Sequence, residues 1–520
     1  MSILQLLRRG QRRTATGVAI VDGDRRLDFD EFIGRIERVA ARLSDAGVGR
    51  GTRVGVAAPN SAEALIAPYG ILATGATYVP VSAAGTPAEI SGILSRFECS
   101  SLVFHPKLAG VIDEVRRSSP GVGFIELAQL TAGADLPSVS KRRQEPRLSD
   151  TAWLLTTGGT TGAPKGVELS WRALNAFVQK FACELPMQDA VMLLATPLTH
   201  AAGMFALPIL ASGGRLVIAN GVDPEQFIAL IEKHRVTTTF LPPTAVYKLL
   251  DHPGAEARDY TSLRNLFYGA APMAVPRLRE ALRVFGPVMT QIYGQTECHT
   301  FIALMRPQDH YVDGDLNGQI ANERRLSACG RPTFGNVVEI RRDDGFLADV
   351  DEIGEICVSS DLNMTGYFRD PLQTETTLVD EFVLTGDLGC IDEDGFLHIV
   401  DRKKDMINSG GFNVYPSEVE AMLNDHPAVA ECAVVGVPDS YWGEMVVAAV
   451  KLRPGQDLKP EELKNHLQSN LGPIKTPKSI QIWSDLPKSP LGKILKHAVR
   501  DKFVNTMSAQ NGSRLGPPPS

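Results

Sequence analysis

Thr156-Thr157-Gly158-Gly159-Thr160-Thr161-Gly162-Ala163-Pro164-Lys165-Gly166 is the stretch that decides how this chain is read. The apolar run before it, Ala152-Trp153-Leu154-Leu155, reads as a buried strand, and Val167-Glu168-Leu169 after it reads as another. Glycines permit sharp turns at little steric cost, so backbone amides can point at an anion. The threonines add hydroxyl donors and Lys165 adds a mobile positive charge. These parts make a phosphate clamp. The clamp differs from the common nucleotide P-loop, in which Gly-Lys is followed by Ser or Thr at the mouth of a helix. Here Pro164 precedes the lysine, Gly166 follows it, and the loop joins two strands with no helix dipole to help.

The chain of 520 residues is long enough for roughly two to four domains or subdomains. With 43% hydrophobic and 22% charged residues it has the composition of a soluble globular protein. A net charge of −7 leaves no electrostatic footprint for nucleic acid. Seven cysteines run from Cys99 to Cys432 without a CxxC pair or metal-ligand spacing, which reads as reduced thiols and a cytoplasmic location. The apolar piece near the start, Ile3-Leu4 with Leu6-Leu7, is too short for a signal peptide, and no transmembrane segment is read. The Ser/Gly/Pro-rich residues 505–520 read as a disordered tail.

Strand and helix patterns alternate from residue 19 onward. Ala19 to Val21 and Leu27 to Phe29 predict strands, and Asp30 is the expected cap of a helix carrying Phe32, Ile33, Ile36, Val39 and Leu43. Val54 to Ala58, Tyr78 to Val81, Leu102 to Phe104, Leu216 to Ile218, Thr237 to Leu241 and Leu263 to Tyr268 continue the series. Alternation of this kind predicts α/β architecture with doubly wound sheets. From about Gly335 shorter strands predict a β-rich subdomain, and past Asp401 a small α+β domain follows. The expected division is 1–400 for a large N-terminal domain, 401–504 for a small mobile C-terminal domain, and 505–520 for the tail.

Further motifs occur in order: Pro197-Leu198-Thr199-His200-Ala201-Ala202-Gly203, Gly269-Ala270-Ala271-Pro272, Tyr293-Gly294-Gln295-Thr296-Glu297 and Leu384-Thr385-Gly386-Asp387. The run from Asp401-Arg402-Lys403-Lys404-Asp405 to Tyr415-Pro416 and the closing Pro487-Lys488-Ser489-Pro490-Leu491-Gly492-Lys493 complete the set. Together with the clamp they resemble the adenylate-forming superfamily, which includes acyl-CoA synthetases, carrier-protein adenylation domains and beetle luciferases. The resemblance covers residues 20–500. The chain departs from the usual wording at Gly158, where Ser is typical, at Thr199, where an aromatic is common, and at Asp401, where Gly is common.

The resemblance implies ATP, Mg²⁺ and coenzyme A. It makes Thr157, Gly158, Gly159, Thr160, Thr161, Gly162 and Lys165 the phosphate contacts. It puts Gly269 to Pro272, with Ala270 and Ala271, beside adenine, Tyr293 and Gly294 against the base, and Thr296 on phosphate. Glu297 becomes the metal ligand, Asp387 and Arg402 the ribose partners, Lys404 the hinge, and Lys493 the group bridging carboxylate and α-phosphate. His200, Met204, Tyr268 and Cys298 are expected in the acyl pocket, with His200 gating it. The implied reaction is that of an acid–CoA ligase. The hinge wording is closer to fatty- and aryl-acid ligases, and no flanking carrier domain is read in the sequence. Loading of a carrier protein, a luciferase-like oxygenase (disfavoured by Asn408 where Lys is common) and an inactive nucleotide-binding homologue are the alternatives. The partners are a carboxylic acid, ATP and CoA, with a homodimer left open and Lys493 a candidate target of a lysine acetylase.

Overall fold

A computed structural model describes residues 1–131, 145–157, 165–439, 441–488 and 494–512. The chain divides into two compact units. The first comprises Met1–Glu339, Cys357–Thr385 and Asp392–His398; the second comprises Ile340–Ile356, Gly386–Ile391 and Ile399–Ser520.

Two large sheets order the first unit. The nine-stranded sheet runs Arg331–Pro332, Ala303–Met305, Met289–Tyr293, Asn265–Gly269, Thr238–Leu241, Val191–Leu194, Arg215–Ile218, Val18–Asp22, Arg25–Asp28. Its central strands are parallel, and the antiparallel pairings lie at its ends. Buried on both faces, these strands need not alternate in polarity. Val191 and Leu193 enter one core cluster while Met192 and Leu194 enter the other. The seven-stranded sheet runs Gly366–Tyr367, Lys165–Ser170, Thr151–Thr157, Thr77–Val81, Arg53–Ala57, Ser101–Phe104, Gly123–Glu126. This is the α/β architecture with doubly wound sheets that the alternation predicts.

Local signals set the helix boundaries, with three differences from expectation. The helix Phe29–Asp45 is capped by Asp28, whose side chain accepts from the Glu31 amide, rather than by Asp30. Phe29 is already helical, and Asp30 falls in the first turn beside the dipole. The segment Ile3–Gln11 is a helix whose Ile3, Leu6 and Leu7 are fully buried. It packs on the helix Ala201–Ala211, and a Cβ at Gly10 would stand 1.7 Å from the Leu210 carbonyl oxygen. The helix Lys496–Gly512 runs past residue 505, where a disordered tail is expected; residues 513–520 lie outside the described residues.

The second unit holds a sheet ordered Phe412–Val414, Ile407–Ser409, Gly443–Leu452, Val429–Asp439, with Ser479–Ile482 parallel to Gly443–Leu452. Strict alternation divides its two cores. Val446, Ala448 and Val450 pack with Leu463 and Leu467, whereas Val447 and Ala449 pack with Trp483, Val499 and Phe503. None of the seven cysteines joins a disulfide, and five of them are buried. Among the described residues no helix is long and apolar enough to cross a membrane.

Candidate active site

Strands Thr151–Thr157 and Lys165–Ser170 pair antiparallel, with Thr157 opposite Lys165, so the two ends of the clamp are held side by side. Gly158, Gly159, Thr160, Thr161 and Gly162 lie outside the described residues. The Lys165 ammonium donates to Gln373 Oε1 at 2.9 Å and stands 5.1 Å from the centre of the Tyr367 ring. Tyr367, in the strand Gly366–Tyr367 beside Lys165–Ser170, donates its hydroxyl to Glu297 Oε1 at 2.8 Å. Glu297 is buried in the short 3₁₀ helix Thr296–Cys298. Lysine, tyrosine and glutamate thus form one chain of contacts from three separate parts of the sequence.

Tyr367 and Gln373 were not among the residues singled out from the motifs. Burial raises the Tyr367 pKa, and the adjacent Glu297 carboxylate raises it further, so the phenol keeps its proton and remains a donor. Tyr367→Phe is expected to lower acid-dependent pyrophosphate release by about tenfold, the cost of losing one hydrogen bond to a charged group. Pyrophosphate assays over a Mg-ATP series check this; an unchanged kcat/KM for Mg-ATP would remove Tyr367 from the site.

Gly269 ends its strand with Ile292 as its neighbour in the adjacent parallel strand, and Ala270 takes a left-handed φ of 65°. Ala270, Ala271 and Pro272 are exposed beyond that end, and the buried Tyr293 ends the next strand. The carboxyl ends of parallel strands are the general ligand edge of α/β sheets. Gly294 lies so close to the chain returning at Thr300 that a Cβ there would stand 2.3 Å from the Thr300 carbonyl carbon. That approach curls residues 294–300 tightly enough to turn Glu297 inward.

His200 holds the N-cap position of the helix Ala201–Ala211 without a side-chain capping bond, is solvent-exposed, and has its Nδ1 2.9 Å from Thr199 Oγ1. Met204 is buried on the same helix, where its sulfur accepts from Thr300 Oγ1 at 3.8 Å, and Cys298 is buried nearby in sequence. Tyr268 departs from expectation. It has no exposed surface, and its hydroxyl lies 3.1 Å from both Gln291 Oε1 and His310 Nε2, so it belongs to the core and not to the lining of a cleft.

Two buried histidines flank this region. His299 lies between Trp153 and Phe177, with ring centroids at 5.4 and 4.4 Å, and among the described residues neither of its nitrogens has a partner. Burial lowers the pKa of His299 to about 3 and that of His310 to about 4. Both are therefore neutral when folded. Below about pH 6.5 the unfolded chain binds protons that the folded chain refuses, so stability falls with pH until the folded values are reached. Each histidine is expected to remove about 2 kcal/mol between pH 6.5 and 5. Urea unfolding at the two pH values checks this, and in His310→Gln the difference should shrink by its share.

In the second unit Arg402 Nε contacts Asp387 Oδ1 at 2.7 Å, with Asp387 buried and Arg402 well exposed. Asp401, at the position where glycine is common, accepts from the Ser417 amide and from its neighbour Arg402, each at 2.7 Å. It thereby serves the first turn of the helix Pro416–Asn424. Lys404 is exposed, and Lys493 lies outside the described residues.

Among the described residues no group of three His, Cys, Asp or Glu side chains could cage a metal. Mg²⁺ commonly binds through one or two carboxylates while water and substrate phosphates complete its shell. Glu297 fits that demand: the Tyr367 hydroxyl engages Oε1, and Oε2 is its second acceptor.

This geometry agrees with the comparisons to known proteins. The AMP-binding enzyme model matches residues 7–368, and the model for the C-terminal domain of AMP-binding enzymes matches 418–493. The chain belongs to the AMP-binding enzyme family, in the acyl-CoA synthetase branch of the adenylate-forming superfamily. It is 35% identical to a medium/long-chain-fatty-acid–CoA ligase of Mycobacterium tuberculosis, over 92% of this chain and 86% of that one. A feruloyl-CoA synthase of Amycolatopsis is 33% identical over 95% and 98%. Among solved structures, an amide bond synthetase from Marinactinospora thermotolerans superposes with a TM-score of 0.86 at 31% identity, covering 96% of this chain and all of the other. ATP-bound MatB from Rhodopseudomonas palustris gives 0.85 at 27%, covering 97% and 99%.

Proposed function

We propose that the protein is an AMP-forming acid–CoA ligase, using ATP, Mg²⁺ and CoA on a carboxylic acid. The observation that carries this reading is the contact chain Lys165–Tyr367–Glu297, which brings a phosphate-type lysine and a metal-type carboxylate together. In the first step a substrate carboxylate oxygen attacks the α-phosphorus of ATP. A new P–O bond forms, the bond to the β-phosphate oxygen breaks, and pyrophosphate leaves. The metal supplies charge neutralisation on the phosphates when bound. Lys165 and the threonine hydroxyls of the clamp orient the phosphates, Glu297 fixes the metal position, and Tyr367 fixes Glu297. Asp387 and Arg402 take the ribose, the segment 269–272 borders adenine, and Lys493 bridges carboxylate and α-phosphate. In the second step the CoA sulfur attacks the acyl carbon, the bond to AMP breaks, and the thiol proton passes to solvent.

Residues 401–504 serve as the mobile domain, with Lys404 its hinge. A proline there fixes φ near −65°. Lys404→Pro is expected to stall thioester formation while adenylation stays near normal; unaffected overall turnover would refute the hinge.

The test of the whole reading is acid-dependent pyrophosphate release over a panel of carboxylic acids, with and without CoA. Release that rises with CoA for one acid class supports the ligase. A second reading is favoured by the likeness to an amide bond synthetase. Release indifferent to CoA but accompanied by amide formation with an added amine would select it.

A further inference from the structure

A pocket of about 100 Å³ on the first unit is lined by Val18, Val21, Arg26, Arg215, Lys233 and His234. Arg26 comes from the edge strand opposite Val21, Arg215 opens its own strand, and Lys233 and His234 end the helix Pro224–His234. Arg215 stands at the amino end of a parallel strand, beside Val191. Gly269 and Tyr293 stand at carboxyl ends, so this pocket is separate from the candidate active site.

The helix dipole accounts for Lys233 and His234 in a last turn. It does not account for the two arginines that converge on them from the sheet. The adjacent basic residues are paired, Arg25 with Glu63 and Arg235 with Asp259. Among the described residues Arg26, Arg215 and Lys233 form no ion pair. Arg215 donates from one terminal nitrogen to the His234 carbonyl at 3.2 Å, while its buried Nε has no acceptor among the described residues. Desolvation lowers the His234 pKa first, then Lys233, Arg215 and Arg26, and no carboxylate raises it. Three unpaired cations around one small pocket repel each other unless an anion joins them. Guanidinium groups present planar donor forks suited to an oxyanion with several oxygens.

We propose that this pocket binds a phosphate group, free or as a monoester, through Arg26, Arg215 and Lys233. The ring resonances of His234, assigned with His234→Asn, report on it in the full chain titrated with inorganic phosphate at matched ionic strength. A saturable shift with a rise in the His234 pKa is expected. Arg26→Gln combined with Lys233→Gln, both at exposed positions, should weaken the dissociation constant by about tenfold or more. No shift beyond that caused by chloride, or an unchanged constant in the double variant, overturns the proposal. Sedimentation with phosphatidylcholine vesicles, with and without phosphatidic acid, then identifies the source. Phosphatidic-acid-dependent binding lost in the double variant supports a lipid headgroup, and its absence beside a phosphate shift supports a soluble phosphate. His234 localises the event, so the result stands whatever reaction the enzyme catalyses.

Discussion

Glu297→Gln is expected to reduce acid-dependent pyrophosphate release by roughly 10²- to 10³-fold, on the scale of losing one preorganised charge contact in a transition state. The substitution keeps side-chain size and leaves an amide oxygen for the Tyr367 hydroxyl, 2.8 Å away in the native chain. What it removes is the negative charge that would hold the metal on the phosphates. The loss should appear in kcat/KM for Mg-ATP, and raising the Mg²⁺ concentration should recover part of it. Thermal unfolding separates this from misfolding: a native midpoint with activity lost supports the role. Full activity at low Mg²⁺ would take Glu297 out of the chemistry.

Lys493→Ala is expected to abolish adenylation, by about 10³-fold, yet to leave thioester formation from supplied acyl-AMP largely intact. The asymmetry follows from charge. When the carboxylate approaches the α-phosphate, two anions meet and a bridging ammonium lowers the barrier. In the second step the acyl carbon is already activated and AMP departs with its charge formed. Single-turnover assays of each half-reaction decide the matter. Equal loss of both would refute the assigned role.

Much of the architecture was legible because parallel sheets leave unbroken apolar runs between helical periods, as at residues 54–57 and 216–218. The same property hid Tyr268. A strand buried on both faces carries no alternation to tell a core-facing tyrosine from one facing a cleft. Tyr367 was hidden by distance: it is 70 positions from Glu297, in a strand of two residues with no period to detect. The helix Ile3–Gln11 carries Ile3, Leu6 and Leu7 at helical spacing, but a run this short spans barely more than one turn and gives no sustained period. Asp401 read as a departure from the motif, and its use appears only once the chain folds back 16 residues later.

That return has a mechanical side. Ser417 bonds through its amide to Asp401 and through its hydroxyl to the Val400 carbonyl, and Lys404 lies inside the excursion these bonds close. A torsional change at Lys404 that carries the following residues as a body must part both bonds. Under the proposed hinge these two bonds form a latch, each worth about 1 kcal/mol net, that a rotation at Lys404 would have to open.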